Sequence, residues 1–180
     1  MAALSDDELR TRLARARLLV LDVDGVLTDG RVLYSDAAEE TQSFDVKDGL
    51  GLNLVRGAGL TIAWITGRGC AATRRRADEL GVVELHMNVR GLKLVKLQEL
   101  QARLAITPEE TISMGDDLFD LTMRSASALF TCPSDAHAAV LERADWIASR
   151  PGGRGAVREL CDALLVARNE WDAILEGLSS

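Results

Sequence analysis

The segment "LLVLDVDGVLTDG", from Leu18 to Gly30, decides the fold class because a run of large aliphatic residues leads directly into two aspartates. The run Leu18–Leu21 has strand length and contains no polar residue, which is typical of a strand buried on both faces in a parallel sheet. Asp22 and Asp24 then lie at the carboxyl end of that strand. Carboxylates are costly to place beside an apolar core, so their position there calls for a chemical reason.

Strand-like and helix-like segments alternate along the rest of the chain. The exception is Arg31–Phe44, where short β-prone runs flank a polar stretch and predict a β-hairpin flap. The alternation indicates an α/β fold with a doubly wound, Rossmann-like parallel sheet, which we expect to form one domain over residues 1–180. The other predicted strands are Leu60–Thr66, Val82–Leu85, Thr111–Met114, Ala128–Thr131 and Trp146–Ile147. The predicted helices are one that starts at a capping box of Ser5 and Glu8, then Asp48–Gly57, Ala71–Leu80, Leu92–Leu104 with Leu92, Val95 and Leu100 inward, Leu118–Arg124, Ala136–Arg143 and Ala156–Ile174.

The bulk composition limits the classes of function. The chain has 180 residues, 47% of them hydrophobic, and a formal net charge of −7, so it suits one buried core and argues against a surface for nucleic acid or an anionic membrane. No apolar run approaches the ~20 residues of a membrane span, and the acidic amino terminus is unlike a signal peptide, which predicts a cytoplasmic protein. The three widely spaced cysteines include no CxxC and argue against a disulfide framework or a zinc site.

Polar side chains follow three of the predicted strands, where ligands of doubly wound sheets bind. Asp22 and Asp24 follow the first strand, Thr66 and Gly67 the second, and Asp116 follows "TISM". If three carboxylates meet there, each ionised pair repels by roughly 4 kcal/mol at an effective dielectric of 20. Hard oxygen ligands without nearby histidine or cysteine favour magnesium. The sequence therefore predicts a magnesium site at this edge of the sheet.

Each of these residues also has a purely structural interpretation. Asp22 and Asp24 could cap a helix or form an Asx-turn at a strand exit. Thr66 could be an ordinary helix N-cap, although a helix opening at Thr66 and Gly67 would also present backbone N–H groups to a phosphate. Lys93 could bring positive charge to that phosphate, with Lys96 one turn later as a rival. These alternatives stay open on the residues alone.

Four ordered motifs resemble those of the haloacid dehalogenase-type phosphatases: "DVDGVLTDG", "ITGR", a lysine ahead of "GDD", and "GDDLFD". Within that family, "FDVKDGLG" at Phe44–Gly51 and "GGRGAVREL" at Gly152–Leu160 resemble the capless branch. The resemblance spans roughly Leu18 to Leu165, and the order of its motifs is far more specific than a single DxD. It implies a Rossmann-like domain with a β-hairpin flap and no cap domain.

The resemblance implies a magnesium-dependent hydrolase of phosphate monoesters that works through an aspartyl-phosphate. Asp22 would be the nucleophile, and Asp24 the general acid and then the general base. Asp22, Asp116 and the backbone carbonyl of Asp24 would bind Mg²⁺. Asp117 and Asp120 would support this site, although either could be an acidic first-turn residue of a helix. The phosphate-binding residues that the resemblance implies are Thr66, Gly67 and Lys93.

Substrate recognition follows from the same resemblance. It favours a phosphorylated ulosonic acid, 3-deoxy-D-manno-octulosonate 8-phosphate first, with acylneuraminate 9-phosphate or another sugar phosphate as alternatives and a non-catalytic oligomeric scaffold as a third. In capless relatives a homotetramer covers the site, and here the hairpin would contribute to that cover. The cations expected to bind the substrate carboxylate are Lys47, Arg68 and Arg154, each of which could equally be a solvated surface group.

Two segments depart from the pattern or lie outside it. Relatives carry a polar or glutamine-containing segment before the lysine of the third motif, whereas this chain has "HMNVRGLK". This departure bears on the identity of the substrate more than on the reaction. Beyond Leu165 the chain is predicted to continue the last helix, with Trp171 and Ile174 apolar, either at a subunit interface or over the core.

Overall fold

The structure is a computed structural model that describes residues 4–34 and 40–177. Six strands form one parallel sheet: Leu18–Leu21 (β1), Thr61–Ile65 (β4), Glu84–His86 (β5), Thr111–Met114 (β6), Leu129–Cys132 (β7) and Trp146–Ile147 (β8). Leu33–Tyr34 (β2) and Glu40–Thr41 (β3) form a separate antiparallel pair, as the flap prediction requires. The tip of that hairpin lies outside the described residues.

The order of the strands places a topological switch beside β1. The sheet runs β5-β4-β1-β6-β7-β8, so the chain first adds strands on one side of β1 and then crosses to the other. Leu21 pairs with Trp64 on one side and with Met114 on the other. The residues that follow β1, β4 and β6 therefore share one edge of the sheet, which is where ligands bind in this architecture. The predicted doubly wound fold is confirmed.

Helices cover both faces of the sheet. The helices are Asp6–Ala14 (α1), Val46–Gly57 (α2), Ala71–Glu79 (α3), Lys93–Leu104 (α4), Ala138–Leu141 (α5), Ala156–Ala167 (α6) and Trp171–Gly177 (α7), with 3-10 helices at Pro108–Glu110 and Asp120–Ala126. Leu19 and Leu21 pack with residues of α1, α2 and α6, whereas Leu18 and Val20 pack with α4 and the second 3-10 helix. Both faces of β1 are thus buried, as its sequence predicts.

Several boundaries differ from those predicted. β5 begins at Glu84 rather than Val82, and α5 is shorter than the predicted Ala136–Arg143. The segment predicted as an α-helix at Leu118–Arg124 is instead a 3-10 helix that starts at Asp120. Its start is tightened because Asp120 Oδ2 accepts hydrogen bonds from two backbone N–H groups just upstream, each at 3.1 Å.

The carboxyl-terminal tail does not continue the last helix. α6 ends at Ala167, and Asn169 has a φ of 60°, a left-handed conformation that asparagine tolerates better than most residues. Arg168 fixes the break by donating from Nη1 to the Ala16 carbonyl at 2.9 Å and from Nη2 to the Ala58 carbonyl at 3.0 Å. Trp171 packs against the core from α7, so this part of the tail covers the core.

The inward face of α4 is rotated from the predicted one. Leu92 is 60% exposed and Val95 is 48% exposed, whereas Lys93, Leu97 and Leu100 are buried. Burial of Lys93 is possible because its ammonium group finds carboxylates at the carboxyl ends of the strands. None of the helices in the two described ranges combines the length and apolar character that a membrane crossing requires.

Asp48 joins the two segments that carry the capless-branch resemblance. It is buried in α2, where its Oδ1 accepts from the Arg158 N–H at 2.7 Å and its Oδ2 from the Gly155 N–H at 3.3 Å, so it caps α6 from a distance. Burial raises the pKa of Asp48 to about 6.

Replacement of Asp48 by alanine is expected to lower the free energy of unfolding by about 2 kcal/mol, because two N–H groups at the start of α6 lose their acceptor. Asp48→Asn keeps an acceptor and removes the charge. The native pKa lies above the unfolded value, so the contribution of the Asp48 carboxyl group to stability is complete below about pH 4 and is lost as the pH rises through about 6. Urea unfolding from pH 4 to 7 should show the wild type losing stability relative to Asp48→Asn. A constant difference between the two would contradict the assignment.

Candidate active site

A pocket of about 640 Å³ lies beyond the carboxyl ends of β1, β4 and β6. It gathers most of the residues that the sequence singled out, and its floor is strongly acidic. The lining residues are Asp22, Asp24, Gly30, Thr66, Gly67, Arg68, Arg90, Gly91, Lys93, Asp116, Asp117, Phe119 and Asp120.

Three carboxylates meet at the bottom of this pocket. One oxygen from each of Asp22, Asp116 and Asp120 lies within 4.8 Å of the others. Burial, followed by repulsion from Asp120, raises the pKa of Asp22 to about 7. Burial and then repulsion from Asp22 and Asp120 raise the pKa of Asp116 to about 8. The raised pKa values show that the surroundings of the cluster do not stabilise three negative charges at neutral pH.

Lys93 is the only buried cation beside this cluster among the described residues. Its Nζ lies 2.8 Å from Asp22 Oδ1 and 2.5 Å from Asp120 Oδ1. Burial alone would lower the pKa of Lys93, but the two carboxylates outweigh it and raise that pKa. Lys96, the rival in the sequence, instead pairs with Glu99 at the surface. One ammonium group cannot offset three carboxylates.

Asp120 supports the cluster rather than offering a free ligand atom. Its Oδ1 pairs with Lys93, and its Oδ2 accepts from the N–H groups of Asp116 and Asp117. By contrast, Asp116 Oδ1 is buried without a hydrogen-bond partner among the described residues, and the buried Asp22 Oδ1 has only the Lys93 ammonium beside it, at 2.8 Å. Two such oxygens at the bottom of a pocket that water can enter fit a Mg²⁺ ion, which keeps several water ligands.

Glycines allow the loops around the cluster to approach closely. Gly25 has a φ of 92°, and a Cβ placed on it would lie 2.0 Å from Asp116 Oδ2. A Cβ on Gly152 would lie 1.8 Å from the carbonyl oxygen of Gly25. The glycine-rich segment before α6 therefore packs directly on the "DVDG" loop that carries Asp22 and Asp24.

Asp24 lines the pocket but lies apart from the carboxylate cluster. Its Oδ2 accepts from Thr66 Oγ1 at 3.1 Å, and its Oδ1 accepts from Gln42 Nε2 at 2.9 Å. Gln42 is held in turn because its Oε1 accepts from Thr73 Oγ1 at 2.6 Å. The structure thus holds the Asp24 carboxylate at the pocket wall, where it could exchange a proton with a leaving group. Gln42 was not predicted as a site residue, because it belongs to none of the sequence motifs and only its position in the flap distinguishes it.

Thr66 and Gly67 do not open a helix. α3 begins at Ala71, and Thr66 Oγ1 accepts from the Arg68 N–H at 3.0 Å in a local turn. The prediction of a helix N-terminus at these residues is wrong, because three further residues, 68–70, separate Gly67 from the start of α3. Both still line the pocket beside Lys93.

The three predicted carboxylate-binding cations separate into two places. Arg68 lines the main pocket, with Nη2 3.1 Å from Glu40 Oε1 and Nε 3.9 Å from Asp24 Oδ1. The hydrogen bonds to Tyr34 and Glu40 raise the pKa of Arg68. Lys47 and Arg154 line a second pocket of about 360 Å³ and do not line the first. Their role in substrate binding stays a prediction.

Two residues at the main pocket were not anticipated. Arg90 and Phe119 both line it, and Phe119 is 65% exposed. The available sequence signal for Arg90 was its place in "HMNVRGLK", the segment that departs from the family pattern. Asp117 lies at the exposed mouth, where its Oδ1 accepts from the Leu118 N–H at 2.7 Å.

The chain resembles known proteins in both sequence and fold. A family model described as haloacid dehalogenase-like hydrolase matches residues 87–159. The 3-deoxy-D-manno-octulosonate 8-phosphate phosphatase of Salmonella typhi is 40% identical over 162 residues, which cover 90% of this chain and 86% of that protein. The crystal structure of the Yersinia pestis phosphatase of the same name is 37% identical, with a TM-score of 0.90 over 92% of this chain and 89% of that one. The Moraxella catarrhalis phosphatase, solved with magnesium, phosphate and KDO, is 34% identical, with a TM-score of 0.93 over 97% of this chain and 99% of that one.

Proposed function

Because the chain belongs to the haloacid dehalogenase-like hydrolases, in the family of the 3-deoxy-D-manno-octulosonate 8-phosphate phosphatases, we propose that it hydrolyses 3-deoxy-D-manno-octulosonate 8-phosphate with the help of Mg²⁺. The observation that carries the proposal is the excess of buried carboxylate over cation at Asp22, Asp116 and Lys93. Such a cluster is suited to a divalent ion and a phosphoryl group.

Asp22 is the proposed nucleophile. One of its carboxylate oxygens attacks the phosphorus atom, and the bond from phosphorus to the sugar oxygen breaks. Asp24 gives its proton to the departing alkoxide, so the sugar acid leaves as an alcohol and an aspartyl-phosphate remains. The position of Asp24 at the wall, bonded to Thr66 and Gln42 rather than to the buried cluster, supports this division of roles.

The second half of the reaction regenerates the enzyme. Asp24, now ionised, takes a proton from a water molecule as the water oxygen attacks the phosphorus of the aspartyl-phosphate. The bond between phosphorus and Asp22 breaks, which restores the Asp22 carboxylate and releases inorganic phosphate. Thr66, Gly67 and Lys93 hold the phosphoryl oxygens through both displacements.

Asp22 and Asp116 would hold the magnesium ion, with the backbone carbonyl of Asp24 as a further ligand. The ion supplies positive charge that offsets the charge on the phosphoryl oxygens during transfer. Asp120 and Asp117 support the site: Asp120 pairs with Lys93, and Asp117, which also lines the pocket, would orient water bound to the ion.

We propose in addition that the active assembly is a homotetramer in the cytoplasm. No cap domain is inserted within residues 4–34 and 40–177, so the pocket needs cover from elsewhere. The flap and the start of α2 expose apolar side chains, with Tyr34 73% exposed and Val46 78% exposed, which suits a subunit interface. Lys47 and Arg154 would then reach substrate only from a neighbouring copy. Analytical ultracentrifugation tests the assembly, and a monomeric active enzyme would contradict it.

A substrate panel tests the proposed activity. With Mg²⁺, we expect kcat/KM for 3-deoxy-D-manno-octulosonate 8-phosphate to exceed that for acylneuraminate 9-phosphate by at least about tenfold, and those for ribose 5-phosphate and p-nitrophenyl phosphate by more. Ribose 5-phosphate and p-nitrophenyl phosphate should be the poorest substrates because they lack a carboxylate for the cations of the site to bind. A higher kcat/KM for acylneuraminate 9-phosphate would move the assignment to that substrate. Inertness toward the whole panel would favour a scaffold without activity.

A further inference from the structure

Three cations line the main pocket, and they differ in what they bind. Lys93 is engaged by Asp22 and Asp120. Arg68 is engaged by Glu40 and lies near Asp24. Arg90 is exposed at the pocket wall and makes no ion pair or side-chain hydrogen bond with the part of the chain that the structure describes. Its charge is therefore available to a ligand.

The backbone around Arg90 is fixed beside the phosphate-binding residues. The Asn88 N–H donates to the Arg68 carbonyl at 2.9 Å, and the Val89 N–H donates to the Thr66 carbonyl at 3.0 Å. A Cβ placed on Gly67 would lie 4.0 Å from the Cα of Arg90. The loop that carries Arg90 is thus bonded to the same segment that would hold the phosphoryl group, so Arg90 lines the pocket beside that segment.

The rest of the pocket would repel a second anionic group on the substrate. Five of its lining residues are aspartates. The wall beside Arg90 is formed by Gly91 and Phe119, whose ring carbon Cε1 would lie 3.9 Å from a Cβ on Gly91. This wall carries no negative charge. A carboxylate on the leaving group is therefore tolerated best next to Arg90, where an arginine can bind it with two hydrogen bonds.

We propose that Arg90 binds the carboxylate of the sugar-acid substrate and so determines the preference for carboxylate-bearing phosphates. This inference rests on the proposed function and deepens it. Arg68 is less suited to the role because Glu40 already occupies its guanidinium, and Lys47 and Arg154 line the other pocket.

Steady-state kinetics of Arg90→Gln test the assignment. For 3-deoxy-D-manno-octulosonate 8-phosphate, we expect kcat/KM to fall about 10- to 100-fold, mostly through KM, because a charged hydrogen bond to the substrate is lost. For ribose 5-phosphate and p-nitrophenyl phosphate, which lack a carboxylate, kcat/KM should stay within about threefold of the wild type. Arg90→Lys keeps the charge and should restore part of the loss.

Arg15→Gln is the matched control, because Arg15 is an exposed arginine that follows α1 at the opposite edge of the sheet. It should leave all three substrates unchanged. Equal losses of Arg90→Gln on every substrate, or no loss on any, would overturn the role of Arg90 while leaving the phosphatase intact. A wild-type enzyme without preference for carboxylate-bearing phosphates would overturn both the substrate assignment and the role of Arg90.

Discussion

The Asp22→Asn variant is expected to lose at least about 10⁴-fold in kcat on every phosphate monoester, because an amide cannot form the aspartyl-phosphate. The fold should survive this change. Burial and then repulsion from Asp120 raise the pKa of Asp22, so a neutral side chain of the same size removes both costs, and Lys93 keeps its pair with Asp120. We therefore expect Tm in the presence of a chelator to be equal to or above that of the wild type.

The two measurements together separate chemistry from folding. A loss of activity with an unchanged or raised Tm supports a nucleophile, whereas a loss with a large fall in Tm would show only that the cluster was disrupted. A conservative change at an exposed acid of α3, Asp78→Asn, should alter neither quantity. Retention of more than about 1% of wild-type kcat by Asp22→Asn would exclude Asp22 as the nucleophile.

Removal of Mg²⁺ is expected to abolish activity and to lower stability. At a Mg²⁺ concentration about 100-fold above its Kd, the ion should raise the free energy of unfolding of the wild type by roughly 2.7 kcal/mol, since it binds only the folded cluster. The Asp116→Asn variant loses one buried ligand oxygen and should gain much less from the same concentration of Mg²⁺. Thermal unfolding with and without Mg²⁺ measures both gains.

Asp116→Asn also tests the electrostatic account of the cluster. Without Mg²⁺, we expect this variant to be at least as stable as the wild type, because repulsion from Asp22 and Asp120 is removed. Asp78→Asn again provides the control and should show the full Mg²⁺ effect. Equal Mg²⁺ stabilisation of the wild type and Asp116→Asn would place the ion elsewhere.

The sequence predicts the site well where the chemistry follows the strands. The carboxyl ends of parallel strands meet at one edge, so strand runs that end in Asp22, Thr66 and Asp116 suffice to bring these side chains together. β1 and β6 have the bounds predicted from their unbroken apolar runs. This part of the site is predictable because the regular geometry of a parallel sheet fixes where each strand ends.

Side-chain direction was harder to predict when electrostatics overrode hydrophobic pattern. The periodicity of α4 assigned Leu92 and Val95 to the core, but the attraction of Asp22 and Asp120 for Lys93 rotates the helix so that the lysine is buried. A pattern that counts a lysine as polar and exposed cannot anticipate this, because the carboxylates lie far away in sequence.

Loop residues gave the least signal. Gln42 reaches Asp24 from the flap and Arg90 reaches the pocket from a loop, and neither lies in a periodic segment. Lys47 and Arg154 line the second pocket. The sequence does not predict this position, because it depends on how α2 and α6 pack together. Of the three cations that line the main pocket, the sequence therefore predicted Lys93 and Arg68 but not Arg90.

The most direct measurement is an acid-quench experiment on the Asp24→Asn variant with p-nitrophenyl phosphate. This good leaving group needs no proton from residue 24, whereas breakdown of the phosphoenzyme does need the base, so the intermediate should accumulate with a burst of about one equivalent of nitrophenol. Mass spectrometry should then find one phosphoryl group on the peptide that contains Asp22. A phosphoryl group on another residue, or unimpaired turnover by Asp22→Asn, would contradict the account.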